Sequence, residues 1–277
     1  YDIYLLNNNK YEGTVPLGRL MGSKREILLK EIKYKNNRFV KAITDQEEVA
    51  YMFNKYGLVS APVIDEKKEL IGSITVDDVV NVIEEEREED ILKVGGVAHT
   101  DLYSSVINTT KSRFSWLFVN LLTAIIASIV IAFFQASIQK VVALAVLMPI
   151  VASMGGNAGT QTLTVSVRAL ATKELTPSNA LKIIGKETFV GGINGFIFAL
   201  FLGIIAGLWF NDYMLGYVIS LSMIINLVIA GFAGTFIPLT LNKLKIDPAL
   251  ASGVILTTIT DVVGFLSFLG LASLLLL

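Results

Sequence analysis

One carboxylate stands alone in an apolar stretch: Asp261, the single charge between Pro248 and Leu277. It lies 12 residues past Ala249, which on a helix is about 18 Å, near the middle of a bilayer. A carboxylate at that depth costs about 2.5 to 3.5 kcal/mol on insertion scales. Something should offset that cost. Its helical neighbours are Thr257, Thr258 and Gly264, a small polar face, and no Lys or Arg lies at matching depth in any apolar run. The simplest offsetting charge is a mobile cation in a wet path. The competing reading is a protonated Asp261 hydrogen-bonded to a threonine.

A second stretch could hold the same ion. After Pro149 the sequence reads Gly155, Gly156, Asn157, Ala158, Gly159, Thr160, Gln161. Such a sequence can loosen a helix and turn its carbonyls towards a cavity. Carbonyls and amides suit a hard cation, which is bound by oxygen and often keeps part of its water. The alternative is close helix packing, since Gly155 and Gly159 form a GxxxG pair. Asn194 and Asn226 are expected to hydrogen-bond between helices, and Pro238 to kink its helix.

Soluble chemistry is sparse. There is no Cys and one His, His99, which removes most zinc, haem and thiol sites and the two-His HExxH protease motif. No Walker A loop and no nucleophile with a base is present, so an enzyme is not expected. Net charge is −1 and the pI is about 6.0, giving no basic field for nucleic acid.

The elements that position these residues follow from charge and hydropathy. The 277 residues are 53% hydrophobic and 17% charged, with a mean hydropathy of +0.62. Residues 1 to 113 hold 35 of the 47 charged side chains, so a polar region precedes a lipid-soluble one. Uncharged runs at 114–139, 141–167, 188–211 and 213–242, with the stretch 248–277, predict five spanning helices. Eight basic residues (Lys111, Arg113, Arg168, Lys173, Lys182, Lys186, Lys243 and Lys245) fall on one side against Lys140 on the other. That puts the N-terminal region inside and the C-terminus outside. Trp209, Tyr213 and Tyr217 suit the headgroup layer. The sequence begins at Tyr1 without a secretory signal, and we expect this to be the cytosolic edge of a longer chain.

In the polar region, Thr44-Asp45 opens a helix that Gly57 closes. An apolar run Leu58 to Ile64, a turn 65–69 and a strand Leu70 to Ile74 follow. Thr75-Val76-Asp77-Asp78 then starts another helix as T-x-x-D. A similar strand-turn-strand-helix unit at 4–20 aligns Gly13 with Gly72 at a spacing of 59 residues, an internal repeat. The run Glu84 to Asp90 reads by itself as a solvated helical face, although two copies side by side would repel and recruit a divalent cation.

The polar region resembles a CBS-domain pair, its second member whole (38–82) and its first represented by the later part (1–37). The order of CBS pair, acidic linker helix (83–112) and five spans (113–277) resembles the MgtE family of magnesium channels. The resemblance rests on Pro149 to Gln161 (PIVASMGGNAGTQ), Arg168-Ala-Leu-Ala-Thr172, Asp247-Pro-Ala249 and Thr260-Asp-Val-Val-Gly264. It implies a multi-pass cell-membrane protein, a homodimer whose pore lies on the dimer axis, lined by helices two and five. Magnesium would pass into the cytosol down its electrochemical gradient, which favours two charges by about 4.6 kcal/mol per 100 mV, and cytosolic magnesium would close the pore. The pore residues would be Asp261, Thr257, Gly156, Asn157 and Thr160, the family pattern having Asn where Thr160 stands.

The resemblance also maps regulatory magnesium onto Asp78, Glu86, Glu89, Asp90 and Asp247, with Gly57 and Asn81 where the family has acidic residues. By itself, Asp247 reads equally as the N-cap before Pro248. Gly72 to Asp78 fits the CBS ribose pattern, so ATP could sit on Thr75 and Asp78; a capping box is the competing reading. Pro16 and Arg19 stand at the matching places of the first repeat, so one nucleotide site at most is expected. Two other functions remain open: a carrier or exporter of manganese or cobalt, and a membrane-bound nucleotide sensor without transport.

Overall fold

The computed structural model describes residues 2–34, 38–97 and 103–277, apart from the side chain at 251. His99 lies outside the described residues. The chain divides into two compact units, Tyr1–Glu89 and Asp90–Leu277.

The first unit holds both repeats. β1 (Asp2–Asn7) and β2 (Lys10–Pro16) form an antiparallel hairpin. Its two turn residues, Asn8 and Asn9, have φ of 51° and 66°, the positive values that a two-residue turn requires when it follows the strand twist. Short helices α1 (Leu17–Met21) and α2 (Leu29–Ile32) follow. β3 (Val40–Lys41) pairs parallel with β4 (Ser60–Ile64), which pairs antiparallel with β5 (Leu70–Thr75). Each hairpin carries a bulge beside the residue that pairs with Gly13 or Gly72, which is the repeat seen in three dimensions. The hairpins join at their tips, where Tyr11 N–H donates to the Lys68 carbonyl at 2.9 Å and Leu70 N–H to that of Asn9 at 3.2 Å.

α3 (Gln46–Tyr56) begins where the Asp45 carboxylate accepts from Glu47 N–H at 2.9 Å and ends at Gly57, φ 59°. Its apolar face, Val49, Ala50 and Phe53, packs with Val40, Ala61 and Val79 into the core of this unit. α4 (Val76–Val94) is one unbroken helix. The expected boundary at 82/83 therefore falls inside it, because Val79, Val82 and Ile83 pack onto the core while the acidic run continues the same turns.

The second unit contains, among the described residues, five helices long and apolar enough to cross a membrane. These are α5 (Val106–Phe133), α7 (Ala143–Ala171), α8 (Ala180–Phe210), α9 (Tyr213–Lys243) and α10 (Pro248–Leu275). The first span stops at Phe133, short of the expected Gln139; the polar tail Gln135–Lys140 forms a separate short helix, α6. α9 is central and packs on α7, α8 and α10, whereas α5 leans mainly on α10.

α8 and α9 meet along glycines. A Cβ on Gly191 would run into the Leu227 carbonyl, one on Gly231 into that of Glu187, and one on Gly216 into that of Gly203. Small residues let backbones approach where lipid provides no hydrophobic drive between helices.

The expected loosening of α7 is not seen. The helix is continuous through Pro149 and the glycine cluster. Its glycines instead admit neighbours: a Cβ on Gly159 would lie 3.0 Å from Leu256 of α10, and one on Gly155 would strike the Asn226 carboxamide of α9. Tight packing on two sides holds the segment helical.

Candidate functional site

Asp261 sits partway along α10 and is half-buried, with Thr257 and Thr258 half-buried one turn earlier. The threonine hydroxyls are committed to their own helix. Thr257 donates to the Gly253 and Val254 carbonyls at 3.1 Å, Thr258 to Val254 at 2.6 Å, and the buried Thr260 to Leu256 and Thr257 at 3.1 Å. Among the described residues no hydrogen bond or ion pair reaches the Asp261 carboxylate. The Asp–Thr hydrogen bond weighed as an alternative is not seen among the described residues.

α7 brings the second half. Ser153, Asn157, Thr160, Gln161 and Thr164 fall on one helical face, and all five are exposed. Asn157 donates to Ser153 Oγ at 3.4 Å, Thr160 to the Gly156 carbonyl at 2.8 Å and Thr164 to the Thr160 carbonyl at 2.9 Å. A Cβ on Gly156 would lie 4.0 Å from Thr260 Oγ1, so the helix carrying this polar face touches the turn next to Asp261. A spanning helix with an uncovered polar face needs water or another chain against it, because lipid satisfies no polar group.

Behind this face lies Asn226 of α9, fully buried. Its Nδ2 donates to the Val151 carbonyl of α7 at 2.8 Å, as expected of an interhelical hydrogen-bonder, while its Oδ1 is buried with no partner among the described residues. An unmet buried acceptor costs about 1–3 kcal/mol. The carboxamide is flanked by Gly155 on α7 and by Gly264 on α10, where a Cβ would lie 2.8 Å from Nδ2.

Sequence reasoning passed over Glu187 at the start of the third span. Its carboxylate accepts from Thr162 of α7 at 3.4 Å and lies 3.6 Å from Lys186 Nζ. The buried Ser166 and Thr235 bond at 3.2 Å between α7 and α9. Only the adjacency of charge and apolar run could have signalled this residue.

Among the described residues no three of His, Cys, Asp or Glu are grouped so as to share a metal ion. Asp78 accepts from Thr75 N–H at 3.0 Å and Thr75 Oγ1 at 2.8 Å. The backbone bond first, then the hydroxyl, holds its carboxyl below the ordinary 3.8. This is the carboxylate half of a capping box. Glu86 accepts from Gln46 Nε2 at 2.6 Å, and Glu86, Glu89 and Asp90 share one face of α4 by their spacing. Asp247 caps α10 by accepting from Ala249 N–H at 2.9 Å, and its other oxygen pairs with Lys93 Nζ at 2.7 Å. A tethered ammonium thus stands where a divalent ion was expected.

A second place for a nucleotide appears in the first unit. A cavity of about 840 Å³ opens at the first repeat, lined by Pro16, Arg19, Tyr34, Arg38, Tyr56 and Ser60 among others, and by neither Thr75 nor Asp78. Arg19 donates to the Ile32 and Lys33 carbonyls at 3.1 and 3.3 Å, and Arg38 stacks 3.6 Å over the Tyr56 ring.

Comparison with known proteins agrees with this division. Residues 148–271 match the MgtE family, described as a divalent cation transporter, and residues 29–85 match the CBS domain. The magnesium transporter MgtE of Bacillus subtilis is 31% identical over 273 residues, 98% of this chain and 60% of that protein. That of Thermus thermophilus is 34% identical over 280 residues, 100% of this chain and 62% of that protein. The chain spans about 60% of the length of the curated relatives it matches. Among solved structures, the cytosolic domain of the Mg2+ channel MgtE in complex with ATP is 35% identical, covering 30% of this chain and 34% of that one, with a TM-score of 0.29. A CBS domain thus precedes five helices long and apolar enough to cross a membrane, and the likeness to the magnesium transporter MgtE of other organisms runs the whole length of this chain.

Proposed function

We propose that the chain transports magnesium across the cell membrane through a path lined by α7 and α10. The observation that carries this reading is the uncovered polar face of α7 beside the unpartnered Asp261. Two copies facing one another across a two-fold axis would enclose both features in water. Two Asp261 carboxylates near that axis favour a divalent ion over a monovalent one, since only the former offsets both charges. Asn157, Thr160, Gly156 and Thr257 add oxygens suited to an ion that keeps its water. The eight basic residues on one side of the spans support a cytosolic N-terminal unit. On that reading, magnesium enters along the membrane potential. The magnesium transporter relatives support the choice of ion.

Closure by cytosolic magnesium fits the acidic face of α4 and Asp247, provided the ion displaces Lys93 from Asp247. Adenine nucleotide is assigned to the arginine-lined cavity of the first repeat rather than to Thr75 and Asp78.

The test is magnesium uptake into proteoliposomes, run against manganese, cobalt and calcium, for wild type and Asp261→Asn. The variant keeps shape and hydrogen bonding and loses the charge; it should fold and lose uptake. Wild-type flux in folded Asp261→Asn refutes the path.

A further inference from the structure

We propose that Asn226 is a positioning residue for this path, fixing the α7 glycine segment and the Asp261 turn of α10 around one sealed carboxamide. This rests on the reading of Asp261 as the group that meets the ion. Asn226 is fully buried, and its Oδ1 finds no donor among the described residues. Side chains of the same size without a carboxamide would fill the site with no orphaned acceptor, so packing alone does not account for an asparagine here. The surroundings are cut to it. Gly155 of α7 and Gly264 of α10 both face Asn226, and a Cβ on either would meet the carboxamide. Its Nδ2–H bond to the Val151 carbonyl fixes the rotation of α7 one turn before Gly155.

The two helices held this way are the two that bear the path. Gly156 and Asn157 directly follow Gly155, and Gly264 lies one helical turn after Asp261. Asn226 thereby sets where the Asn157 face stands relative to the Asp261 carboxylate while touching neither. The arrangement is that of an outer-shell partner, which tunes affinity through the group that contacts the ion.

The experiment measures magnesium uptake by the full chain in proteoliposomes for Asn226→Leu, which keeps the branching and the number of side-chain heavy atoms, and Asn226→Val, a smaller side chain that also lacks the donor to Val151. Folding is checked by monodispersity and unfolding midpoint. The expected result for Asn226→Leu is a midpoint at or above wild type, with the half-saturating magnesium concentration raised about tenfold or more. Maximal uptake stays within reach of wild type, and the preference for magnesium over calcium falls. Asn226→Val should move half-saturation and preference in the same direction, and it carries the test if Asn226→Leu does not fold. Unchanged half-saturation and preference in folded variants overturn the proposal, as does a loss confined to maximal uptake. Asp261→Asn is run alongside. If it transports normally, the path itself falls; if it is inactive while the Asn226 variants match wild type, only the positioning role falls.

Discussion

Gly234 of α9 gives the sharpest stability test, because its environment is backbone and a stiff β-branched side chain. A Cβ there would lie 2.8 Å from Thr162 Cβ, 2.9 Å from the Gly159 carbonyl oxygen and 3.0 Å from Thr162 Cγ2. Restoring ordinary carbon–carbon contact at about 3.5 Å requires α7 and α9 to part by about 0.7 Å. The Ser166–Thr235 hydrogen bond, 3.2 Å long and one residue away, would stretch to about 3.9 Å and cease to be one. Overpacking costs about 1–3 kcal/mol, the lost interhelical bond about 0.6 kcal/mol, and the better helix propensity of alanine returns about 1 kcal/mol. The net is a destabilisation of about 0.5–2.5 kcal/mol, a fall of about 2–8 °C in unfolding midpoint. Thermal unfolding in detergent, followed by the fluorescence of Trp116 and Trp209, reads it. Gly185→Ala is the control, since nothing lies within 4 Å of its Cβ position and it should gain up to about 1 kcal/mol. A Gly234→Ala midpoint equal to wild type, beside a stabilised Gly185→Ala, would refute the close α7–α9 contact.

Asp78 carries a pH dependence. Its carboxyl lies below the ordinary 3.8 because Thr75 donates to the charged form, so its contribution is present above that value and is lost as pH falls through the lowered one. Asp78→Asn should show a weaker contribution at neutral pH and a flatter acid limb of the unfolding midpoint. Asp212 caps α9 by accepting from Met214 and Leu215 N–H at 2.9 and 3.1 Å. Asp212→Ala should cost about 0.5–2 kcal/mol and Asp212→Asn much less, both read as midpoints. Lys93→Met removes the ammonium from Asp247. Under the gating reading, the magnesium needed to protect residues 93–113 from protease should fall by up to about fivefold, since a partly exposed ion pair contributes about 0.2–1 kcal/mol. No shift in that titration would separate Asp247 from magnesium sensing.

What the sequence made legible was whatever depends on neighbours along one element. Asp45 and Gly57 bound α3, Gly13 and Gly72 mark the same bulge in two hairpins, and the apolar runs yield the five spans, because caps, turns and hydropathy are local. The isolated carboxylate at Asp261 was legible for the same reason. Pairings between distant segments were not: Asn226 between Gly155 and Gly264, Lys93 against Asp247, and the cavity between the first repeat and Tyr56 to Pro62. The continuity of α7 also escaped, since glycines that loosen an isolated helix here receive Asn226 and Leu256.

The short turn at Asn211–Asp212 has a consequence for biosynthesis. Joined by two residues and seamed by glycines, α8 and α9 are suited to leave the insertion machinery as one hairpin, already paired before the rest of the chain is made. α7 emerges earlier, with its polar face and the Val151 carbonyl awaiting partners that α9 and α10 bring later. Until Asn226 arrives the glycine segment of α7 lacks the side chain its glycines admit, and until α10 follows no carboxylate lies near the middle of a span. The order of synthesis thus defers the costly Asp261 to the last helix, when the neighbours that hold its turn are already in place.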